Sequence, residues 1–400
     1  MSQKRVVVGL SGGVDSSVAA YLLLQQGYEV IALFMRNWHD DSVIQDDECP
    51  WIEDSNDALL VAQKLGIPFQ VIDLSESYKS RIVDYMFKEY EEGRTPNPDI
   101  LCNREIKFDV FLDAALSLGA DFVATGHYCQ KSSFIKDGEE FFQLLEAVDK
   151  NKDQSYFLCQ LNQKQLSKAV FPIGHLQKSE VRAIALELEL VTAQKKDSQG
   201  LCFVGKIKLP DFLQQQLSVK KGKVIEIPSN SVIYNLKPKF SYHSENNQSQ
   251  IEDFCQPIHH KITDGIEIGT HDGAHFFTIG QRKGLQIGGK KEPLFVLETD
   301  TKENLIFVGQ GDSHPGLLRY GLKVKLKNMH WVRPDLEIKT EESMPILSRI
   351  RYRQALAKAI LIRKEFEYYF IFEEEQKGIS KGQFAAVYQN NELIASGVID

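Results

Sequence analysis

Six cysteines occur without a single Cys-x-x-Cys pair, no apolar run approaches eighteen residues, and positive charge is not in excess. Each absence excludes something. Without paired cysteines, the common structural-zinc and cysteine-ligated iron–sulfur sites drop out. Without a long apolar run there is no transmembrane helix. Met1 to Arg5 leads straight into Val6-Val7-Val8, far too short for a secretory core, so the chain is expected to stay in a reducing cytoplasm. A disulfide framework is not expected there. The formal net charge of −8 argues against uniform, non-specific binding to a nucleic-acid backbone, which requires a basic partner. His259-His260 and His271-x-x-x-His275 have no matching cluster of acids or cysteines and read as loop or strand histidines, so no metal site is expected.

What is present is ordinary globular material. Four hundred residues, 42% of them apolar and 26% charged, suffice for two or three domains with real cores. No internal repeat is visible. Over the first two hundred residues strand and helix patterns alternate. Arg5–Leu10 is a β-branched run, Val14–Gln26 a helix stopped by Gly27, and Glu29–Met35 a strand. A helix over Ser55–Leu65, a strand at Phe69–Asp73, helices near 76–92 and 100–118, and a strand at Asp121–Thr125 follow. This rhythm predicts a parallel sheet covered on both faces, with its ligand at the carboxyl ends of the strands. From about residue 208 helices thin out. The polar stretch Pro228–Asp264 reads as a surface loop or inserted hairpin. Beyond residue 290, segments at Leu322–Trp331, Pro345–Tyr352, Ala357–Arg363, Phe366–Phe372, Gln383–Tyr388 and Leu393–Val398 predict a small closed β-barrel.

Two local patterns carry chemistry. Leu10-Ser11-Gly12-Gly13-Val14-Asp15-Ser16-Ser17 lies between the first strand and the first helix, where glycines, hydroxyls and a helix N-terminus make an anion cradle. It lacks the lysine of a Walker A loop. Thr95-Pro96-Asn97-Pro98-Asp99-Ile100-Leu101-Cys102 is a proline-stiffened loop opening a helix. Read with Asp99 as the N-cap, it sets Cys102 in the first turn, near Arg104 and Lys107, and predicts a depressed thiol pKa. A second thiol, Cys202, lies between Gly200 and Gly205 after Lys195-Lys196, in a segment expected to move. Spacing does not show whether the two thiols meet.

Ser-Gly-Gly-Val-Asp-Ser-Ser resembles the signature of the PP-loop ATP pyrophosphatases, which split ATP between its α and β phosphates to adenylate an acceptor oxygen. That leaves small-molecule ligases, tRNA sulfur transferases and lysidine-type tRNA ligases open. Further motifs narrow the choice: Asn97-Pro98-Asp99 with Cys102, Gly126-His127-Tyr128, Lys152-Asp153-Gln154-Ser155-Tyr156-Phe157-Leu158, the segment Lys195–Gly205, Phe277–Leu285, and Arg351-Tyr352-Arg353-Gln354. In this order they resemble the tRNA-specific 2-thiouridylases across almost the whole chain.

The resemblance implies an α/β N-terminal PP-loop domain with a parallel sheet (1–206), a small central α+β domain (207–287) with an insertion near 228–264, and a C-terminal β-barrel (288–400) that contacts tRNA. It implies ATP with Mg²⁺, held by Leu10 through Ser17 (Leu10, Ser11, Gly12, Gly13, Val14, Asp15, Ser16, Ser17), Met35 and Gly126. Asn97, Pro98 and Asp99 would surround the target uracil with His127 nearby, and Asp99 could shuttle a proton. Cys202 would carry a persulfide from a sulfur-relay protein, and Cys102 would complete a Cys102–Cys202 disulfide. Lys152, Asp153, Gln154, Arg351, Tyr352 and Gln383 would contact tRNA. The implied substrates are the tRNAs for Lys, Glu and Gln, modified at the wobble uridine, and the chain is expected to act as a monomer.

The chain departs from the family pattern twice: Lys381 stands where a proline usually precedes Gly-Gln, and the 228–264 segment is extra. Cys49, Cys129, Cys159 and Cys255 read as packing residues. The charge pattern also matters. Leu317 to Lys364 holds twelve Lys/Arg against four acids, a local basic excess inside an acidic chain, which reads as tRNA backbone contact. A small-molecule PP-loop ligase is the competing activity, and it predicts indifference to both cysteines. An RNA-binding barrel with an inactive nucleotide domain is the competing non-enzyme.

Overall fold

The structure is a computed structural model that describes residues 3–37, 50–196, 209–214, 216–236 and 248–400. Cys49, Cys202 and the segment 197–208 lie outside the described residues.

The N-terminal strands β1 (Arg5–Gly9), β2 (Glu29–Arg36), β3 (Phe69–Asp73) and β4 (Phe122–Ala124) align in parallel in the order β3-β2-β1-β4. Val6, Val7 and Val8 are fully buried, as a central strand covered on both faces requires. One face packs against helices α1 (Val14–Gln25) and α2 (Pro50–Leu65), through Ala20, Leu23, Ala58 and Val61. The other face packs against two helical runs, 75–91 and 98–117, through Leu33, Met35, Ile106 and Phe111. This is the parallel, doubly covered sheet that the alternating pattern predicts.

The chain then leaves the sheet. Strands β5 (Cys129–Lys136) and β6 (Glu139–Glu146) form a hairpin before the short β7 (Ala169–Val170) returns beside β4. In the central region, β8 (Gly222–Glu226) and β9 (Ile266–His271) pair with each other, while β10 (Leu294–Asp300) and β11 (Leu305–Gln310) complete the sheet in the order β10-β11-β8-β9. The texture boundary near 288 therefore falls inside this unit: Leu305–Val308 pairs with β8, not with the barrel.

The barrel proper is β12 (Leu318–Trp331), β13 (Ser343–Arg349), β14 (Ala357–Arg363), β15 (Glu367–Lys377), β16 (Phe384–Gln389) and β17 (Glu392–Ile399). Pairing of β12 with both β15 and β17 closes it around Leu322, Val324, Phe370, Phe372, Val387 and Ile394. Strand β6 pairs with β17 outside the closed ring, so the catalytic-domain hairpin is stitched into the barrel sheet. From the insertion, helix Gln248–Cys255 lays Ile251 and Phe254 against Tyr369 and Ile371 on the barrel's outer face. Arg319 fixes it there, donating to the carbonyls of Cys255 (3.1 Å) and Ile379 (3.0 Å).

Candidate active site

The glycine loop closes the carboxyl end of β1 and starts α1. Gly12 adopts φ +71, and a Cβ there would stand 2.1 Å from the Asp54 carbonyl oxygen, so α2 is laid directly over the loop. Gly13 is the N-cap of α1, with no side chain capping the helix, and a Cβ on it would meet only Ser11 Oγ, at 3.5 Å. The hydroxyls divide their work. Ser17 is buried, donating to the Gly13 carbonyl (2.7 Å) and accepting from Thr192 (3.1 Å). Ser16 accepts from the Ser11 amide (3.1 Å), and Ser11 is the exposed one. Of three anticipated hydroxyl donors, Ser17 is thus committed to the loop's own construction. Asp15 binds Lys178 Nζ (2.7 Å) and the Tyr128 hydroxyl (2.8 Å), so its charge is already balanced.

Leu10 and Val14 are buried, and Met35 packs at the end of β2 on the face shared with Phe111. Two residues on, Asn37 is 2% exposed, with neither the oxygen nor the nitrogen of its amide hydrogen-bonded. Leaving both unmade is expensive in a protein alone. An uncapped helix, an open Gly13 and this unspent amide together suit a phosphate chain carrying a base. Among the described residues no group of three His, Cys, Asp or Glu could hold a metal.

The second half of the site is the loop 95–97 and the helical run behind it. The N-cap is Asn97, not Asp99: its Oδ1 accepts from the Ile100 amide (3.2 Å), with Pro98 at the first helical position. The shift of two residues puts Asp99 in the first turn and moves Cys102 beyond it, so the helix-end argument for an activated thiol loses its geometric basis. Instead Cys102, fully buried, begins a π-helical segment, Cys102–Val110, with a kink at Phe108. Wide π turns often mark functional positions. Gln165 Nε2 makes this one affordable by donating to the carbonyls of Arg104 and Phe108, both at 3.0 Å. Asn103 Nδ2 donates to the Phe157 carbonyl (2.9 Å), and the Phe157 ring packs tilted against Tyr352 of the barrel with ring centroids 4.4 Å apart.

Gly126 and His127 join the two halves. A Cβ on Gly126 would lie 2.7 Å from the Ser16 amide nitrogen, so only glycine lets this turn approach the nucleotide loop. The next ring, His127, stands 6.5 Å from Phe108 of the cysteine helix, with Nδ1 bonded to Thr125 Oγ1 at 2.7 Å. Burial, aided by the positive charge of Lys107, holds its pKa well below the usual histidine value. It is a neutral imidazole. Burial likewise pushes the Cys159 thiol up to about 12 and Cys129 well above its ordinary value, and raises Cys255 too. These three are inert packing thiols.

The residues expected to meet tRNA are distributed differently. Asp153 is 2% exposed and accepts from the amides of Ala147 (3.0 Å) and Ser155 (3.2 Å) while pairing with Arg349 (3.1 Å). Its side chain is committed to the seam between the catalytic domain and the barrel. Gln154 accepts from the Tyr128 amide (2.9 Å). Lys152 is half-buried. Arg351 donates to the carbonyls of Ile279 (3.1 Å) and Gly378 (2.6 Å), tying the central domain to the barrel. Gln383 faces the site but is occupied there: its Nε2 donates to the carbonyls of Thr95 (3.0 Å) and Pro96 (3.2 Å), and its Oε1 accepts from Asn97 (3.4 Å). The Thr95 amide adds a bond to the Lys381 carbonyl (2.8 Å), and Thr95 Oγ1 reaches Thr278 (3.1 Å). All three domains therefore meet at Thr95. Neither Thr95 nor Thr278 was marked by its own chemistry in the sequence; both stood inside the quoted motifs.

The basic excess of the barrel is also largely spent. Lys323, Lys325, Arg333, Arg349, Lys358, Arg363 and Lys364 pair with carboxylates, several from outside the 317–364 window. Arg319 and Arg351 are committed to carbonyls. Lys327, Lys339 and Arg353 stay exposed.

With this geometry in view, the comparisons are consistent. Residues 4–206 match the tRNA methyl transferase HUP domain, 256–310 the tRNA methyl transferase PRC-barrel domain, and 322–399 the aminomethyltransferase beta-barrel domain. A tRNA-specific 2-thiouridylase MnmA from Christiangramia forsetii is 62% identical, covering 99% of this chain and 100% of that one. The Flavobacterium johnsoniae protein of that name is 61% identical over the same shares, and the Shouchella clausii protein 44%, covering 99% and 96%. By full-length identity and by the order of its three domains, the chain belongs to the MnmA family of tRNA-specific 2-thiouridylases.

Proposed function

We infer that this protein is a tRNA-uridine 2-sulfurtransferase that uses ATP to activate the uracil C2 oxygen of the wobble uridine and a persulfide to replace it. The observation that carries the reading is the contact of Gly126 with the nucleotide loop and of His127, the next residue, with the cysteine helix. An activating nucleotide and a thiol are thereby served by one turn. Full-length relatives named for 2-thiolation favour sulfur chemistry over a small-molecule ligase or the methyl transfer in the domain descriptions.

In this reading the amides at the open end of α1 and Ser11 hold the phosphates, Lys178 keeps Asp15 from repelling them, and Met35 and Asn37 flank the base. ATP, with its Mg²⁺, supplies the adenylyl group that converts a poor leaving oxygen into AMP. Asn97 and Pro98 fix the uracil beside the strand ends, and Asp99, half-exposed in the first turn, moves its proton. The terminal sulfur of a Cys202 persulfide bonds to C2, and the AMP oxygen leaves. The Cys102 thiolate then attacks the inner sulfur, breaking the sulfur–sulfur bond, releasing 2-thiouridine and leaving a Cys102–Cys202 disulfide for an external reductant. A sulfur-relay protein supplies the persulfide, and the tRNAs for Lys, Glu and Gln are the substrates. Because Cys102 is buried, the helix or its cover has to open for this step. Among the described residues no helix is long and apolar enough to cross a membrane.

The test is ATP-dependent incorporation of labelled sulfur into bulk tRNA by wild type, Cys102→Ala and Cys202→Ala. Both variants are expected to lose transfer while keeping tRNA-stimulated pyrophosphate release. Full activity in either variant refutes the paired-thiol mechanism, and pyrophosphate release indifferent to tRNA refutes the substrate.

A further inference from the structure

We propose that the loop 282–291 of the central domain docks the phosphate backbone of tRNA beside the target uridine, through Arg282, Lys283 and Lys291. The assignment rests on the sulfurtransferase reading above and adds a surface to it.

The argument begins at the root of the loop. Thr278 receives the hydroxyl of Thr95, the residue that precedes Pro96-Asn97, and the Ile279 carbonyl receives Arg351. Main-chain bonds from Gly280 to Val296 (2.7 Å) and from Val296 to Gln281 (3.0 Å) pinch the neck. Inside it, the Gln281 side chain accepts from the Thr278 amide (3.0 Å) and donates to the Lys283 carbonyl (2.8 Å). Leu285 is buried in the central core beside Leu294, with Ile287 packed against them. The loop is therefore built and anchored, and Arg282, Lys283 and Lys291 are among its exposed residues.

Those cations lack the compensation found on the barrel. Lys290 is the one spent, on Glu226. Arg282, Lys283 and Lys291 are exposed, and among the described residues no carboxylate pairs with them. Glu292 is the only acid nearby in sequence. A Cβ at Gly288 or Gly289 would meet nothing within 4 Å, so the ground beside the charges is open. Arg282 is four residues from Thr278, a reach of at most about 14 Å. That sets Arg282, with Lys283 next to it, within reach of the loop proposed to hold the uracil, and Lys291 carries the same uncompensated surface to the far end of the loop. Point charges that neutralise phosphates add affinity without reading sequence.

Full-length wild type and the triple variant Arg282→Gln/Lys283→Gln/Lys291→Gln are compared for binding bulk tRNA across a salt series. Each phosphate contact to a single strand contributes about 0.7 to the logarithmic salt slope, so the slope should fall by about 2. Between about 50 and about 200 mM salt, wild type should lose about twentyfold more affinity than the variant. At saturating tRNA and low salt the variant should keep its sulfur-transfer rate, showing an intact fold and a change in KM alone. Lys164→Ala, at an exposed lysine of Gln163–Lys168, should leave the slope unchanged. An unaltered slope in the triple variant, or an equal change with Lys164→Ala, overturns the proposal. A variant whose turnover collapses with the slope intact overturns it too, since the loop would then act on chemistry. Wild type that binds no tRNA would overturn the sulfurtransferase reading first, a result distinguishable from failure of the loop alone.

Discussion

At residue scale, His127 shows how position sets chemistry. Its ring is enclosed and kept neutral, with a folded pKa well below the ordinary 6.5. As pH falls through about 6.5 the unfolded chain takes up a proton that the folded chain refuses, so this contribution is present above that pH and lost below it. The loss amounts to up to about 1.4 kcal/mol per pH unit. His271, His275 and His330 are shifted in the same direction, so wild type should lose stability steeply on acidification. Denaturant midpoints at about pH 7.5 and about pH 5 should differ less in His127→Gln than in wild type; an equal difference would mean that His127 titrates freely when folded. Asp153 gives a second case. Asp153→Ala should cost about 3–5 kcal/mol by leaving buried Arg349 with Glu146 alone and the Ala147 and Ser155 amides without their acceptor, measurable by urea unfolding, with the salt slope of tRNA binding unchanged. The motif containing Asp153 was legible in the sequence; its pairing with Arg349 was not, because a motif gives residue types in order and says nothing about which side of a domain boundary each faces. The same holds for Asn97 and Asp99. Both are good cap residues, and only the observed bond to Ile100 decides between them.

At the scale of elements, sequence pattern did well wherever burial repeats regularly. The parallel strands and the six barrel strands follow from their apolar periods, with edges a few residues from those expected. It did less well where an element depends on a distant partner. The π-helical turn at Cys102 exists because Gln165, far along the chain, accepts the cost of its carbonyls, and β10 and β11 join β8 through a pairing no local window contains. The nucleotide loop shows the same dependence in a form that mutation can read. Gly12→Ala would place its Cβ 2.1 Å from Asp54 and force a left-handed φ, a backbone strain of about 1–3 kcal/mol before α2 is displaced. Gly13→Ala meets only a serine hydroxyl at 3.5 Å. Binding of a non-hydrolysable ATP analogue should therefore collapse in Gly12→Ala, while Gly13→Ala keeps its fold and melting temperature. Equal effects at the two glycines would mean that the loop is not shaped by α2.

At the scale of the whole molecule, the catalytic domain and the barrel share a buried polar seam. Arg349 joins Glu146 (2.7 Å) and Asp153 (3.1 Å), and Ser155 meets the Tyr388 hydroxyl (3.0 Å). Tyr156 donates to the Phe384 carbonyl (3.0 Å), and Gln160 and Ser396 bond at 2.7 Å. With β6 paired to β17 alongside, unfolding of either domain takes from the other the partners of its buried polar groups. A chain of this length ordinarily melts domain by domain. Here the seam predicts one cooperative transition for the catalytic domain and barrel, with van't Hoff and calorimetric enthalpies close to each other. Arg349→Met leaves Asp153 buried without its cation and Glu146 with only the exposed Lys150, and should cost about 3–5 kcal/mol while splitting the transition in two. Scanning calorimetry decides: two separate peaks already present in wild type would show that the barrel is an independent module, and the Thr95 junction would then have to hold its geometry without support from the seam.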